Sequence, residues 1–256
     1  MHMDGQRRMK RNRIPGKIIE VILSLLFPYR CFVCDKILEP ELARKQWVHD
    51  TCKHKLIPVG VTVCVHCGRP VKEECEYCYD CGRKNLSQSF LQGKSLFAYE
   101  GAIRKTMYRF KYSNRREYAR GFAEDAAFQY GDWIRRNGID VIVPVPMYRA
   151  KQKRRGYNQA ECFAKALSDE MGILMDANIL KRVRDTVPQK ELNDIQRKNN
   201  LKTAFHCGKN IVQYTKVLLV DDIYTTGSTA DAITETLLKA GVKEIYFLSI
   251  CIGKGM

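Results

Sequence analysis

In VLLVDDIYTTGST, residues 217 to 229, Asp221 and Asp222 stand just before Thr225, Thr226, Gly227, Ser228 and Thr229. A hydroxyl-rich turn opening a helix offers O–H donors, outward backbone N–H groups and partial positive charge, which together suit a terminal phosphate. Adjacent carboxylates repel a phosphate, so the two acids must serve another part of the ligand, and vicinal hydroxyls are the groups that donate to them. A sugar phosphate with a free cis-diol meets both demands. Mg2+ is a fitting companion, because carboxylates, ribose hydroxyls and phosphate oxygens are all hard oxygen ligands. The plainer alternative is a capped helix behind ordinary turn formers. The ordered combination of apolar strand, two acids and Thr-Gly-Ser-Thr favours the ligand.

A second chemistry lies upstream. Eight of the eleven cysteines fall between residues 31 and 81, spaced as Cys31-x2-Cys34, Cys64-x2-Cys67 and the overlapping Cys75-x2-Cys78-x2-Cys81, with His49-x2-Cys52 between the first two groups. A two-residue spacing lets one tight turn aim two ligands at one ion, and zinc takes four such ligands tetrahedrally. The economical assignment is Cys31, Cys34, His49 and Cys52 for one Zn2+ and Cys64, Cys67, Cys78 and Cys81 for another, with Cys75 either spare or a substitute for Cys81. His54 and His66 compete with His49 for a ligand role. With ligands in surplus and no open position, both sites read as structural. Disulfides are the competing use of the same residues, and the lack of a cleavable leader weighs against them.

The elements that must position these groups follow from periodicity. The chain has 256 residues and is 45% hydrophobic, enough to bury a core. Strands are expected at KSLFAYEG, DVIVPVPM, KVLLVDD and EIYFLSICI, and helices at AIRKTMYRFKY, REYARGFAEDAAFQYGDWIRRNG and STADAITETLLKAG; a basic loop beginning at Tyr148 runs into a further helix. This alternation predicts an α/β domain with a mostly parallel sheet flanked by helices, behind a small N-terminal zinc module. The expected boundaries are 1–28 for a basic N-terminus and amphipathic helix, 29–84 for the double ribbon and 85–256 for the α/β domain. IIEVILSLLF is too short to span a bilayer and carries Glu20. The net charge of +16 attracts polyanions, either nucleic acid or a multiply phosphorylated small molecule. The segment from Met107 to Arg120 interleaves Tyr108, Phe110, Tyr112 and Tyr118 with Arg109, Lys111, Arg115, Arg116 and Arg120, a pattern for single-stranded nucleic acid, although helical spacing sends about half of the rings to the core.

VLLVDDIYTTGST resembles the phosphoribosyl pyrophosphate (PRPP) motif of type I phosphoribosyltransferases, whose acids hold the ribose hydroxyls and whose Thr-rich turn holds the 5′-phosphate. LLFPYRCFVC, MYRFKY, VPVPM, KRRGYNQAE and VRDTVPQKELNDIQRKNNLKTAF, in that order, are similar to the ComF/ComFC-like competence proteins over about residues 23 to 252. In their usual ribbon pattern a Cys stands where this chain has His49. The resemblance implies Mg2+-PRPP as ligand, a cytoplasmic location and a role in taking up transforming single-stranded DNA, with a DNA-uptake helicase or channel protein as partner. It leaves catalysis open, the alternative being a salvage phosphoribosyltransferase that releases pyrophosphate. Lys111, Arg149 and Arg155 are candidate contacts for the pyrophosphate side, with Lys151, Lys153 and Arg154 on the same loop. RDTVPQKELNDIQRKNN is a candidate hood, with Arg184, Lys190, Arg197 and Lys198 in reach of phosphates.

Overall fold

The computed structural model describes residues 28–39, 42, 46–84, 86, 89–184, 203–208, 211 and 213–255. The expected N-terminal helix and most of the expected hood, with Lys190, Arg197 and Lys198, lie outside the described residues. Among the described residues there are six strands: β1 (Gln92–Ala98), β2 (Val141–Pro144), β3 (Leu180–Arg182), β4 (Phe205–Cys207), β5 (Lys216–Tyr224) and β6 (Glu244–Ile252). β1, β6, β5 and β2 form one sheet in that order, every pairing parallel.

The central strands are apolar because both of their faces are covered. In β5, Val217 and Leu219 enter one core while Leu218 and Val220 enter the other, and all four are fully buried. The face of Leu218 and Val220 is covered by α3 (Ala102–Tyr112), α4 (Tyr118–Arg136) and α6 (Gln159–Met171). Each of these helices buries a stripe at helical spacing, such as Ile103, Met107 and Phe110 in α3. The opposite face carries α7 (Ser228–Lys239) through Ile233 and Leu237. The connections leaving the adjacent ends of β2 and β5 therefore lead to helices on opposite faces, which opens a crevice at the carboxyl edge of the sheet.

The cysteine lobes are built into these cores. Cys31, Phe32, Leu38, Trp47 and Cys52 join the core under α3 and α4, whereas Cys64, Cys67, Cys78 and Cys81 join the core on the α7 face with Phe90 and Phe247. Between the lobes, Ala98 donates to Ile57 (2.9 Å) and Val59 to Leu96 (3.1 Å), so this segment covers the free edge of β1. Leu174 to Asp176 covers the edge of β2 in the same way.

Four elements depart from the sequence reading. The basic loop after β2 is a helix, α5 (Arg149–Arg155), built from straight-chain helix formers and closed by Gly156 at φ 90° before Asn158 caps α6. β5 does not stop at the acids; it continues to Tyr224, paired with Ile252. β3 and β4 form a short antiparallel pair that three-residue segments do not announce.

Gly121 of α4 lets the first lobe close on the helix, since a Cβ there would stand 2.6 Å from Trp47 Cβ and 3.0 Å from Phe32 Cδ1. Gly121→Ala gains about 1 kcal/mol of helix propensity and incurs about 1–3 kcal/mol of overpacking. Its melting temperature is expected a few degrees below that of the parent by calorimetry, and an equal or higher value would show that the lobe docks more loosely than described.

Candidate functional site

The metal clusters form from two equivalent turns. Asp35 N–H donates to Cys31 O (2.8 Å) and Gly68 N–H to Cys64 O (2.9 Å), and both fourth-following residues take positive φ, 64° and 74°. Arg30 pairs with Ile37 and Val63 with Pro70 at the same offsets from the cysteines. In each lobe a one-turn helix then carries the remaining ligands: His49 and Cys52 flank the start and body of α1 (Asp50–Lys53), and Cys78 and Cys81 those of α2 (Tyr79–Gly82). Cys31, Cys34, His49 and Cys52 gather their ligand atoms within 4.8 Å of one another, as do Cys64, Cys67, Cys78 and Cys81. Thiolates about 2.3 Å from a tetrahedral zinc lie roughly 3.8 Å apart, and Cys67 Sγ is 3.6 Å from Cys78 Sγ. The donor chemistry and spacing fit one structural Zn2+ in each cluster. Cys75 is exposed and outside both, so Cys81 closes the second set. His66, one of the competitors, stacks on Phe90 with Nδ1 3.4 Å from Cys81 Sγ, beside the cluster rather than in it.

At the carboxyl edge of β5, Asp221, Thr225, Thr226, Ser228 and Thr229 line one depression. Gly227 adopts φ 81° as the cap of α7, and the Thr226 and Ser228 hydroxyls lie 3.0 Å apart. Three residues of α7's first turn, Ser228, Thr229 and Ala230, present amides that lack an intrahelical acceptor, and these point along the helix axis toward the depression.

The acid pair is electrostatically poised. Asp222 N–H donates to Asp221 Oδ1 at 2.7 Å, and Lys111 Nζ at the end of α3 meets Asp222 Oδ2 at 2.8 Å. Burial, and then the neighbouring charge of Asp222, pushes the Asp221 carboxyl up to about 8, against the pull of Lys111 and Arg182. Burial works against the charge of Lys111, but Asp222 and Asp221 outweigh it and raise the pKa.

Of the sequence candidates, Lys111 reaches the site, though its charge is engaged by Asp222. Arg155 lies with its guanidinium 5.0 Å over the Tyr112 ring and bonded to Gln159 (2.9 Å). Arg149 is exposed at the start of α5. The Lys151 pKa is lowered by desolvation and then by the neighbouring charges of Arg155, Arg182 and Lys111. Arg182 was not singled out in the sequence, because it belongs to the unannounced strand β3. The aromatic and basic stripe is divided: Phe110 and Tyr118 are fully buried, Arg109 donates to Phe32 and Val33 carbonyls, and Arg115 binds Asp35. Tyr108 and Tyr112 remain exposed, 64% and 61%, with ring centroids 5.0 Å apart.

Comparison with known proteins agrees with both halves. Residues 22–82 match the model of the double zinc ribbon domain, and residues 157–254 that of the phosphoribosyl transferase domain. Competence protein F of Haemophilus influenzae is 33% identical over 224 residues, covering 86% of this chain and 95% of that protein. DNA utilization protein YhgH of Salmonella typhimurium is 29% identical over 230 residues, 89% and 98% of the two chains. Competence protein ComFC of Bacillus subtilis is 25% identical over 224 residues, 82% and 89%.

The raised Asp221 pKa has a measurable sign. An acid whose pKa rises on folding binds more protons in the native state between its unfolded value near 4 and its folded value of about 8, so its contribution to stability falls as pH rises through that window. Asp221→Asn cannot ionise, so its melting temperature relative to the parent is expected to improve by roughly 4 °C or more from pH 5 to pH 8.5. A difference independent of pH would contradict the assigned shift.

Proposed function

The chain belongs to the competence protein F family, and from that premise we propose that it binds Mg2+-PRPP at the β5–α7 edge while handling single-stranded DNA entering the cytoplasm. The observation that carries this reading is that Asp221 lines one depression with the Thr225–Thr229 turn, Asp222 being the next residue of the same strand. In the proposal Asp221 and Asp222 accept hydrogen bonds from the ribose hydroxyls, and the amides and hydroxyls of Thr225, Thr226, Gly227, Ser228 and Thr229 hold the 5′-phosphate. Lys151, Arg155 and Arg182, with Lys111, face the diphosphate; Arg149 stands at the outer end of the same surface. Mg2+, when bound with PRPP, supplies charge neutralisation of the diphosphate, and the carboxylate oxygens are ligands of the hardness it takes.

The DNA-handling part is supported by the competence relatives and by the exposed pair Tyr108 and Tyr112, which adjoins the cations of α5 through Arg155. Bases stack on such rings while lysines and arginines follow the phosphates. A DNA-uptake helicase or channel protein is the partner class this role requires. Among the described residues, no helix is long and apolar enough to cross a membrane.

Asp221→Ala with Asp222→Ala is expected to weaken Mg2+-PRPP binding by about 100-fold or more in calorimetry, with helix content and zinc unchanged; parental affinity would refute the ligand assignment. Pyrophosphate release with one free base in a parallel assay would favour a salvage enzyme. Tyr108→Ala with Tyr112→Ala is expected to lower affinity for a fluorescent single-stranded oligonucleotide by about 10-fold or more. Equal DNA affinity would remove this surface from the reading.

A further inference from the structure

The Thr225–Thr229 turn is gripped from behind by the second cysteine lobe. Arg69 is 4% exposed; one guanidinium nitrogen pairs with Asp80 of the same lobe, and another donates to the carbonyl of Thr225. Lys84 Nζ donates to the carbonyl of Thr226 at 2.8 Å and to Asp231 Oδ2 at 2.8 Å. Ser89 Oγ donates to the other oxygen of Asp231 at 2.6 Å. Two consecutive carbonyls of the turn and the first-turn carboxylate of α7 are thus fastened by residues from the cysteine lobe and the segment following it.

The consequence follows from the peptide plane. A trans peptide sets its C=O and N–H on opposite sides, so holding the Thr225 and Thr226 carbonyls toward the lobe turns the N–H groups of Thr226 and Gly227 away from it, toward the depression. Gly227 makes the close approach workable, since a Cβ there would collide with the Tyr224 hydroxyl and stand 3.0 Å from Lys84 Nζ. Both clamping residues are themselves anchored on the metal-ligand turns. Cys64 N–H donates to the Arg69 carbonyl at 2.8 Å, and Lys84 N–H donates to the Cys81 carbonyl at 3.1 Å. The backbone of each clamp is therefore set by the conformation of a ligand cysteine.

We propose that Arg69 and Lys84 are positioning residues through which metal occupancy at Cys64, Cys67, Cys78 and Cys81 sets the affinity of the Thr225–Thr229 turn for a phosphate monoester. The inference rests on the reading of that turn as the 5′-phosphate site of PRPP. Loss of the ion frees the two ligand turns, the clamps lose their footing, and the peptide planes of the turn are no longer held. Coupling of this kind is reciprocal, so the phosphate ligand raises zinc affinity at this cluster by the same factor.

The test uses the full-length protein with Lys84→Met, which keeps the aliphatic stem and removes the donors, and Arg69→Gln. In the absence of ligand, amide hydrogen exchange over residues 225–229 is expected to be about 10-fold faster in each variant, and calorimetric Mg2+-PRPP affinity about 10-fold weaker. Lys84→Met, whose side chain lies outside the cysteine turns, is expected to retain the parent's zinc content, so that its effect is not one of metal loss. Saturating Mg2+-PRPP is expected to raise the apparent zinc affinity of one of the parent's two sites and to raise it less in Lys84→Met, where only the Arg69 clamp remains. Parental exchange rates in both variants would overturn the clamp, as would an equal zinc affinity of the parent with and without bound PRPP. Faster exchange in both variants beside a parent that does not bind Mg2+-PRPP would uphold the clamp and sink the PRPP reading, so the two claims fail separately.

Discussion

Val217, Leu218, Leu219 and Val220 are buried on both faces of the sheet, and the next two residues of the same strand are carboxylates. Two acids at the end of a dry strand repel one another and lose hydration, so the fold must bring a cation to them or leave one protonated. Lys111 stands 2.8 Å from Asp222, and burial together with the charge of Asp222 raises the Asp221 pKa, which favours its protonated form. Lys111 can stand there because α3 is held in place: Thr106 and Arg109 of that helix donate to the carbonyls of Phe32 and Val33, inside the turn that carries Cys31 and Cys34. The first metal cluster is in this way connected to the acid half of the site, as the second is to the turn half.

The two lobes therefore act as parts of the α/β domain rather than as an appendage joined by a linker. Each repeats the same turn, bridge and one-turn helix, and each places that unit on a different face of the sheet. Small metal-held units have little hydrophobic core of their own. Here residues beside the ligand cysteines pack against aromatic residues of the larger domain, Phe32 against Phe97 and Phe122 on one side, His66 against Phe90 on the other. Metal binding and sheet packing reinforce each other, since folding of a lobe supplies apolar surface that the sheet lacks.

How far this was legible in the sequence depended on range. The cysteine spacings and the apolar strand ending in Asp221 and Asp222 are local patterns, and they pointed to the parallel sheet, to the order of its main elements and to the ligand turns. α5 looks like a loop in the sequence because its run of Arg and Lys has no apolar face, although those residues are good helix formers when a glycine stop and a capped neighbour follow. β3 and β4 are too short to carry an alternation. The stripe from Met107 to Arg120 could be divided into core and surface only by the helix packing that buries Phe110 and Tyr118. The pairing of Lys111 with Asp222 and the grip of Arg69 and Lys84 on the turn join residues more than a hundred positions apart, and no local pattern encodes such partners.

The crosspiece between the lobes, Ile57 to Val59 on the edge of β1, bears on the order in which the molecule assembles. On its other side β1 pairs with β6, and Ser95 and Ser249, which meet there, are 154 positions apart. A strand made early but partnered last spends much of synthesis with an open edge, the exposure that makes parallel sheets slow to form and prone to association. The lobes close over short loops and precede β1 on the chain. Their connecting segment covers one edge of that strand, so only the edge facing β6 is left to await the C-terminal part of the chain.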